Sequence, residues 1–136
     1  MKVRFGIVGT SKISEWVLMG ACQDPRYEAV ALYSRTQEKA DEFALKHGIP
    51  HTFTDLEQMA SSDLIDAVYI ASPNYKHCEQ AILCMSHGKH VLCEKPLASN
   101  AREAQAMIEA SEKYGVTLME AMISTLNPNF RMVMEH

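Results

Sequence analysis

A doubly wound α/β fold, about six parallel strands in order 3-2-1-4-5-6 with helices on both faces, is predicted by three observations. Short apolar runs alternate six times with helical patterns. Several of these runs stop at short polar loops that lead into a helix. Parallel strands also need crossover connections, and those are right-handed, so the alternation reads as a sheet covered on both faces. At 136 residues and 47% hydrophobic content the chain has room and apolar material for one domain.

The elements follow in order. Val3 to Val8 reads as a first strand, and Ser11 to Cys22 as a helix with Ile13, Val17 and Gly20 to Ala21 along one face. Ala29 to Tyr33 is a second strand. Thr36 to His47 then forms a helix on which Ala40, Phe43 and Ala44 face the sheet, ended by Gly48 at a C′ position. His51 to Phe53 is a short third strand, and Thr54 with Glu57 has the spacing of a capping box for a small helix. Ala67 to Ala71 is the fourth strand. Cys78, Ala81, Ile82 and Met85 recur at helical spacing, so Tyr75 to His87 is an amphipathic helix closed by Gly88. His90 to Cys93 is the fifth strand. Asn100 and Glu103 cap a helix that runs to about Tyr114 and stops at Gly115; Val116 to Met119 is the sixth strand. A last helical pattern opens at Asn127-Pro128 and continues through Phe130, Val133 and Met134.

Composition narrows the function. There are 13 basic and 17 acidic side chains, a net charge of −4, and no Lys/Arg cluster longer than two residues, which disfavours nucleic acid as a partner. No apolar stretch approaches the roughly 18 to 20 residues of a membrane span, so a membrane partner is not expected either. Cys22, Cys78, Cys84 and Cys93 form no Cys-x-x-Cys pair and have no His at zinc-ligand spacing. They read as reduced thiols of a cytoplasmic protein, with no metal site.

Three loops carry the chemistry, and the ligand of such a sheet sits where the winding reverses, at the carboxyl ends of strands one and four. In the first loop, Gly9, Thr10, Ser11, Lys12 and Ile13 join strand to helix, where free N–H groups and partial positive charge suit a pyrophosphate. The strict G-x-G-x-x-G is broken, with Ser11 at the second glycine and Ser14 at the third; alone, the loop reads equally as a dinucleotide site or an ordinary turn. After strand two, the acid that would hold the ribose hydroxyls of NAD is missing. Ser34 and Arg35 stand there instead and suit the 2′-phosphate of NADP, with NAD as the other option. The bland alternative has Ser34 or Thr36 capping the next helix and Arg35 solvated. After strand four, Ala71, Ser72, Pro73 and Asn74 turn polar groups toward the crevice, and His77, one turn into the helix, touches the cofactor or packs beneath it. After strand five, Glu94 and Lys95 place an ionisable pair at the mouth of the same crevice. A partly desolvated Lys95 there can exchange a proton with an alcohol or carbonyl, and Pro96 restricts its geometry, a cis bond being one way.

The three loops together resemble the N-terminal Rossmann domain of the glucose-fructose oxidoreductase and inositol dehydrogenase (Gfo/Idh/MocA) family. The strongest marks are Asp66 to Asn74 with His77, and Gly88 to Leu97. The resemblance implies hydride transfer between a nicotinamide and the carbon of a secondary alcohol or aldehyde, usually on a sugar, polyol or related diol. Lys95 matches the family's active-site lysine, and Leu118 to Met122 resembles the branch of NADP-using dihydrodiol and xylose dehydrogenases. Ile123 to Leu126 departs from that branch, so the substrate is not carried over. The resemblance further implies residues 1–122 as the NAD(P)-binding domain and 123–136 as the start of a connecting helix toward a C-terminal α/β domain that this sequence lacks. Such a cofactor half is expected to bind cofactor yet be nearly inactive alone, with a homo-oligomer expected of the full-length protein. The competing class is a non-catalytic dinucleotide sensor or scaffold. An S-adenosylmethionine enzyme is a third reading, for which Glu94-Lys95-Pro96 gives no reason.

Overall fold

In a computed structural model, which describes residues 2–10, 14, 18, 24–95 and 97–121, six strands form one parallel sheet. They are β1 (Val3–Val8), β2 (Tyr27–Tyr33), β3 (His51–Phe53), β4 (Ala67–Ile70), β5 (His90–Glu94) and β6 (Leu118–Ala121). Their order is β3-β2-β1-β4-β5-β6, every neighbouring pair parallel, so the winding reverses between β1 and β4 as the alternation predicts. The described helices are α1 (Gln37–His47), α2 (Leu56–Ala60), α3 (His77–Ser86) and α4 (Ala101–Tyr114).

Alternation along the strands fills two cores, because successive side chains point to opposite faces. Phe5, Ile7, Leu32, Tyr69 and Leu92 pack on one face with Ala40, Phe43 and Ala44 of α1. Val8, Ala31, Val68, Ile70 and Val91 pack on the other with α2, α3 and α4. A strand buried on both faces has little use for polar residues, which explains the continuous apolar runs.

The remaining expectations hold or shift by identifiable causes. The α1 stripe and the Gly48 stop are as expected, Gly48 adopting φ 69°. The capping box at Thr54 is corrected by one residue: Asp55 is the N-cap, its carboxylate accepting from the N–H groups of Glu57 and Gln58, and the charged acceptor takes the place of the hydroxyl. Pro73 precedes a 3-10 turn over Asn74–Lys76, so the regular helix starts at His77 rather than Tyr75. Its fully buried stripe is His77, Gln80, Ala81, Cys84 and Met85, with Cys78 and Ile82 half-buried at its side. The fifth strand extends one residue, to Glu94. The sixth begins at Leu118, because the Val116 N–H is spent on the Ser111 carbonyl at the end of α4 and the Thr117 N–H on His90 Nδ1. Asn100 and Glu103 form the expected cap, and Gly115 ends α4 at φ 66°. Ser14 and Leu18 are helical and buried; the rest of the predicted first helix, Cys22, Pro96 and the predicted last helix lie outside the described residues.

Candidate functional site

The winding reversal opens a cleft of about 590 Å³ beyond the carboxyl ends of β1, β2 and β4. Ladder bonds carry the chain to its rim: Gly9 N–H donates to the Tyr33 carbonyl at 3.2 Å, and Ala71 N–H to the Val8 carbonyl at 2.9 Å. The floor is Gly9 and Thr10 from the first loop, faced by Ala71, Ser72 and Pro73 from the third. Gly9 sits at φ 110°, and a β-carbon there would lie 3.1 Å from the Ala71 carbonyl oxygen, so only glycine lets the two loops approach. Ser14, at the position of the motif's third glycine, is fully buried and donates its hydroxyl to the Gly9 carbonyl at 3.1 Å. The serine thus closes the turn that the glycine pattern would leave to packing.

One end of the cleft is cationic. Ser34 is 7% exposed, with its N–H on the Phe53 carbonyl, and its hydroxyl has no hydrogen-bond partner among the described residues. Arg35 follows, exposed and unpaired among the described residues. Lys39 lines the same wall, equally uncommitted. The cap of α1 is Thr36, whose hydroxyl accepts from the Lys39 N–H at 3.3 Å, leaving Ser34 and Arg35 free of that task. Two cations and a recessed hydroxyl fit a phosphorylated ribose, with the guanidinium able to give two parallel hydrogen bonds.

The third loop is braced from below. His77 is 1% exposed, and its Nε2, which must donate to a carbonyl, lies 2.8 Å from the Ser72 oxygen. Ser72 donates its hydroxyl to Gln80 Oε1. His77 therefore packs beneath the loop and does not line the cleft, while Asn74 is exposed on the 3-10 turn, also outside the lining. Glu94 is 7% exposed and accepts from the Tyr69 hydroxyl at 2.5 Å, inside the sheet's end. Lys95 is exposed directly after it. Gly9, Thr10, Ser34, Arg35, Ala71, Ser72 and Pro73 are thus brought together; Asn74, His77, Glu94 and Lys95 stand around them; Ser11, Lys12 and Ile13 lie outside the described residues.

Lys39 and Gln80 line the cleft without having been singled out in the sequence, and Tyr75 and Lys76, within the third loop's motif but not read as contacts, line it too. Lys39 carried a signal: it sits in the first turn of α1, where the helix dipole favours acids, so a cation there needs another purpose. Gln80 carried none, because it reads as one more helix residue. Among the described residues there is no cluster of three or more metal-ligating side chains and no helix long and apolar enough to cross a membrane. Burial pushes the Cys84 and Cys93 thiols up to about 12, while Cys78 is half-buried and raised.

A parallel sheet in this order, with a glycine turn and a cationic wall at its switch point, defines a dinucleotide-binding α/β protein. The chain belongs to the Gfo/Idh/MocA oxidoreductase family with an NAD-binding Rossmann fold, whose model matches residues 3–122. It is 53% identical over 134 residues to scyllo-inositol 2-dehydrogenase (NADP(+)) IolU of Bacillus subtilis, covering 98% of this chain and 41% of that one. It is 35% identical over 130 residues to trans-1,2-dihydrobenzene-1,2-diol dehydrogenase of Xenopus tropicalis, covering 94% and 39%. The crystal structure of KijD10, a 3-ketoreductase from Actinomadura kijaniata in complex with NADP and TDP-benzene, superposes with a TM-score of 0.83 at 29% identity, over 88% of this chain and 37% of that one. The chain spans about 40% of the length of these curated relatives.

Proposed function

We propose that this chain is the cofactor-binding domain of an oxidoreductase that moves a hydride between a nicotinamide cofactor, NADP in preference to NAD, and a CH–OH carbon of a small sugar, polyol or diol. The observation that carries this reading is the cationic wall of the cleft: Ser34 and Arg35 after the end of β2, where an NAD site would carry an acid, with Lys39 from the first turn of α1. The names of the relatives support it, since one specifies NADP(+), another is complexed with NADP, and two specify an inositol or a dihydrodiol.

A bound nicotinamide supplies the hydride donor or acceptor. The residues of this chain do the rest. Gly9 and Thr10, followed by Ser11, Lys12 and Ile13, would hold the pyrophosphate, and Ser34, Arg35 and Lys39 would hold the 2′-phosphate. Ala71, Ser72 and Pro73 wall the ribose side, with His77 holding the Ser72 carbonyl in place. Asn74, Glu94 and Lys95 would meet the nicotinamide half of the cofactor, and Lys95 would orient the alcohol or carbonyl and move its proton. In this reading residues 1–122 form the cofactor-binding domain of a cytoplasmic homo-oligomeric enzyme, and 123–136 lie outside the described residues.

Titration with NADPH and NADH, followed by ligand fluorescence or heat, tests it. NADPH is expected to bind at least about tenfold tighter, roughly 1.4 kcal/mol, and Arg35→Ala is expected to abolish the preference. Equal binding of NADH would overturn the assignment of the 2′-phosphate; binding of neither would overturn the dinucleotide site.

A further inference from the structure

Tyr69 and Glu94 meet inside the sheet rather than in the cleft. Tyr69 is fully buried on β4, Glu94 is 7% exposed at the end of β5, and the phenol donates to Glu94 Oε2 at 2.5 Å. Tyr69 is in register with Leu92, so Glu94 lies two residues further along β5 on the same face. Around the pair the cluster is largely apolar, with Phe5, Ile7, Leu32 and Leu92, and Tyr27 brings a second hydroxyl to it. A phenylalanine would fill the volume of Tyr69 equally well, so packing does not account for the hydroxyl. A carboxylate at such a place costs free energy unless a donor holds it, and Tyr69 is the described donor. Burial and the neighbouring carboxylate push the Tyr69 phenol up, which keeps it a proton donor at ordinary pH.

The position of the pair matters because Lys95 is the next residue, and β5 ends at Glu94. We propose that Tyr69 is a positioning residue: by holding one oxygen of Glu94 it fixes the end of β5, and so sets the other oxygen and Lys95 toward the nicotinamide-ribose end of a bound dinucleotide. This rests on the reading of the cleft as an NAD(P) site. It assigns Tyr69 no contact with the cofactor. The effect travels through Glu94 alone.

The test compares two ligands on the full 136-residue chain. NADPH carries both halves of the dinucleotide; 2′,5′-ADP carries only the adenosine half, which the Gly9 and Ser34 to Lys39 side of the cleft would hold. Tyr69→Phe is expected to weaken NADPH about tenfold, the scale of a hydrogen bond to a charged group, and to leave 2′,5′-ADP within about twofold. In a Glu94→Ala background, Tyr69→Phe is expected to change NADPH affinity no further, since the coupling partner is gone. An equal loss for both ligands would mean a general loosening of the sheet and overturn the inference, as would unchanged NADPH binding or additive losses in the double variant. A wild-type chain that binds neither ligand would instead defeat the dinucleotide reading itself.

Discussion

At the scale of the residue, the site depends on positions where one atom more or less changes what the backbone can do. Gly9 is the sharpest case, because its φ of 110° and the Ala71 carbonyl 3.1 Å from any added β-carbon penalise a side chain twice. Gly9→Ala is expected to destabilise the fold by about 1–3 kcal/mol, the usual cost of such backbone strain, read as a lower urea midpoint, and to weaken NADPH as well. A variant with wild-type stability and affinity would show that the loops can part without cost. Gly9 was legible as a glycine turn, and the place of Ser34 with Arg35 on the cleft wall was legible too, since both follow from what ends a strand. Glu94 read as one half of a pair at the crevice mouth. Its engagement with Tyr69, 25 positions away, became visible only when β4 and β5 came together. Gln80 was silent for another reason: its spacing reads as one more helix position, and its acceptance from Ser72 across the loop shows only in the folded chain.

At the scale of the element, caps decide where helices begin, and local chemistry makes most of them readable. Asn100 accepts from the Glu103 N–H at 2.9 Å and precedes a helix of 14 residues, two of which, Met107 and Ala110, are buried in the core on one face of the sheet. Asn100→Ala is expected to cost about 1 kcal/mol, measured as a shift of the urea midpoint at unchanged slope. A change of slope would mean that α4 melts separately. Where reading failed, a competing local group had won: Asp55 outbid Thr54 as a cap, and Pro73 with its 3-10 turn delayed α3. The sixth strand was displaced by a tertiary bond, the Thr117 N–H on His90 Nδ1, which no local pattern contains.

At the scale of the whole molecule, stability should fall away at both ends of the pH range. The Arg4 guanidinium, in a hydrogen-bonded pair with Asp66 at 2.9 Å, holds that carboxyl below its ordinary 3.8. The pair's stabilisation is present above that value and is lost as pH falls through the lowered one. Burial raises the Cys84 and Cys93 thiols from 9.0 to about 12. Above pH 9 the unfolded chain therefore releases protons that the folded chain keeps, and stability declines as pH climbs toward 12. Urea midpoints across pH are expected to trace a plateau with both limbs, and Asp66→Asn to flatten the acid one; an acid limb unchanged in that variant would remove the pair from the account. The sequence by itself determined the alternation of strands and helices, the glycine turn and the missing acid after β2, because periodicity, turn chemistry and charge are local properties of the chain, and the strand order followed from the general winding rule for such an alternation. Only the tertiary structure decided that the end of β2, the start of α1 and the third loop wall one cleft and that Tyr69 holds Glu94, because those relations are set by which strands and helices become neighbours, something that no local pattern contains.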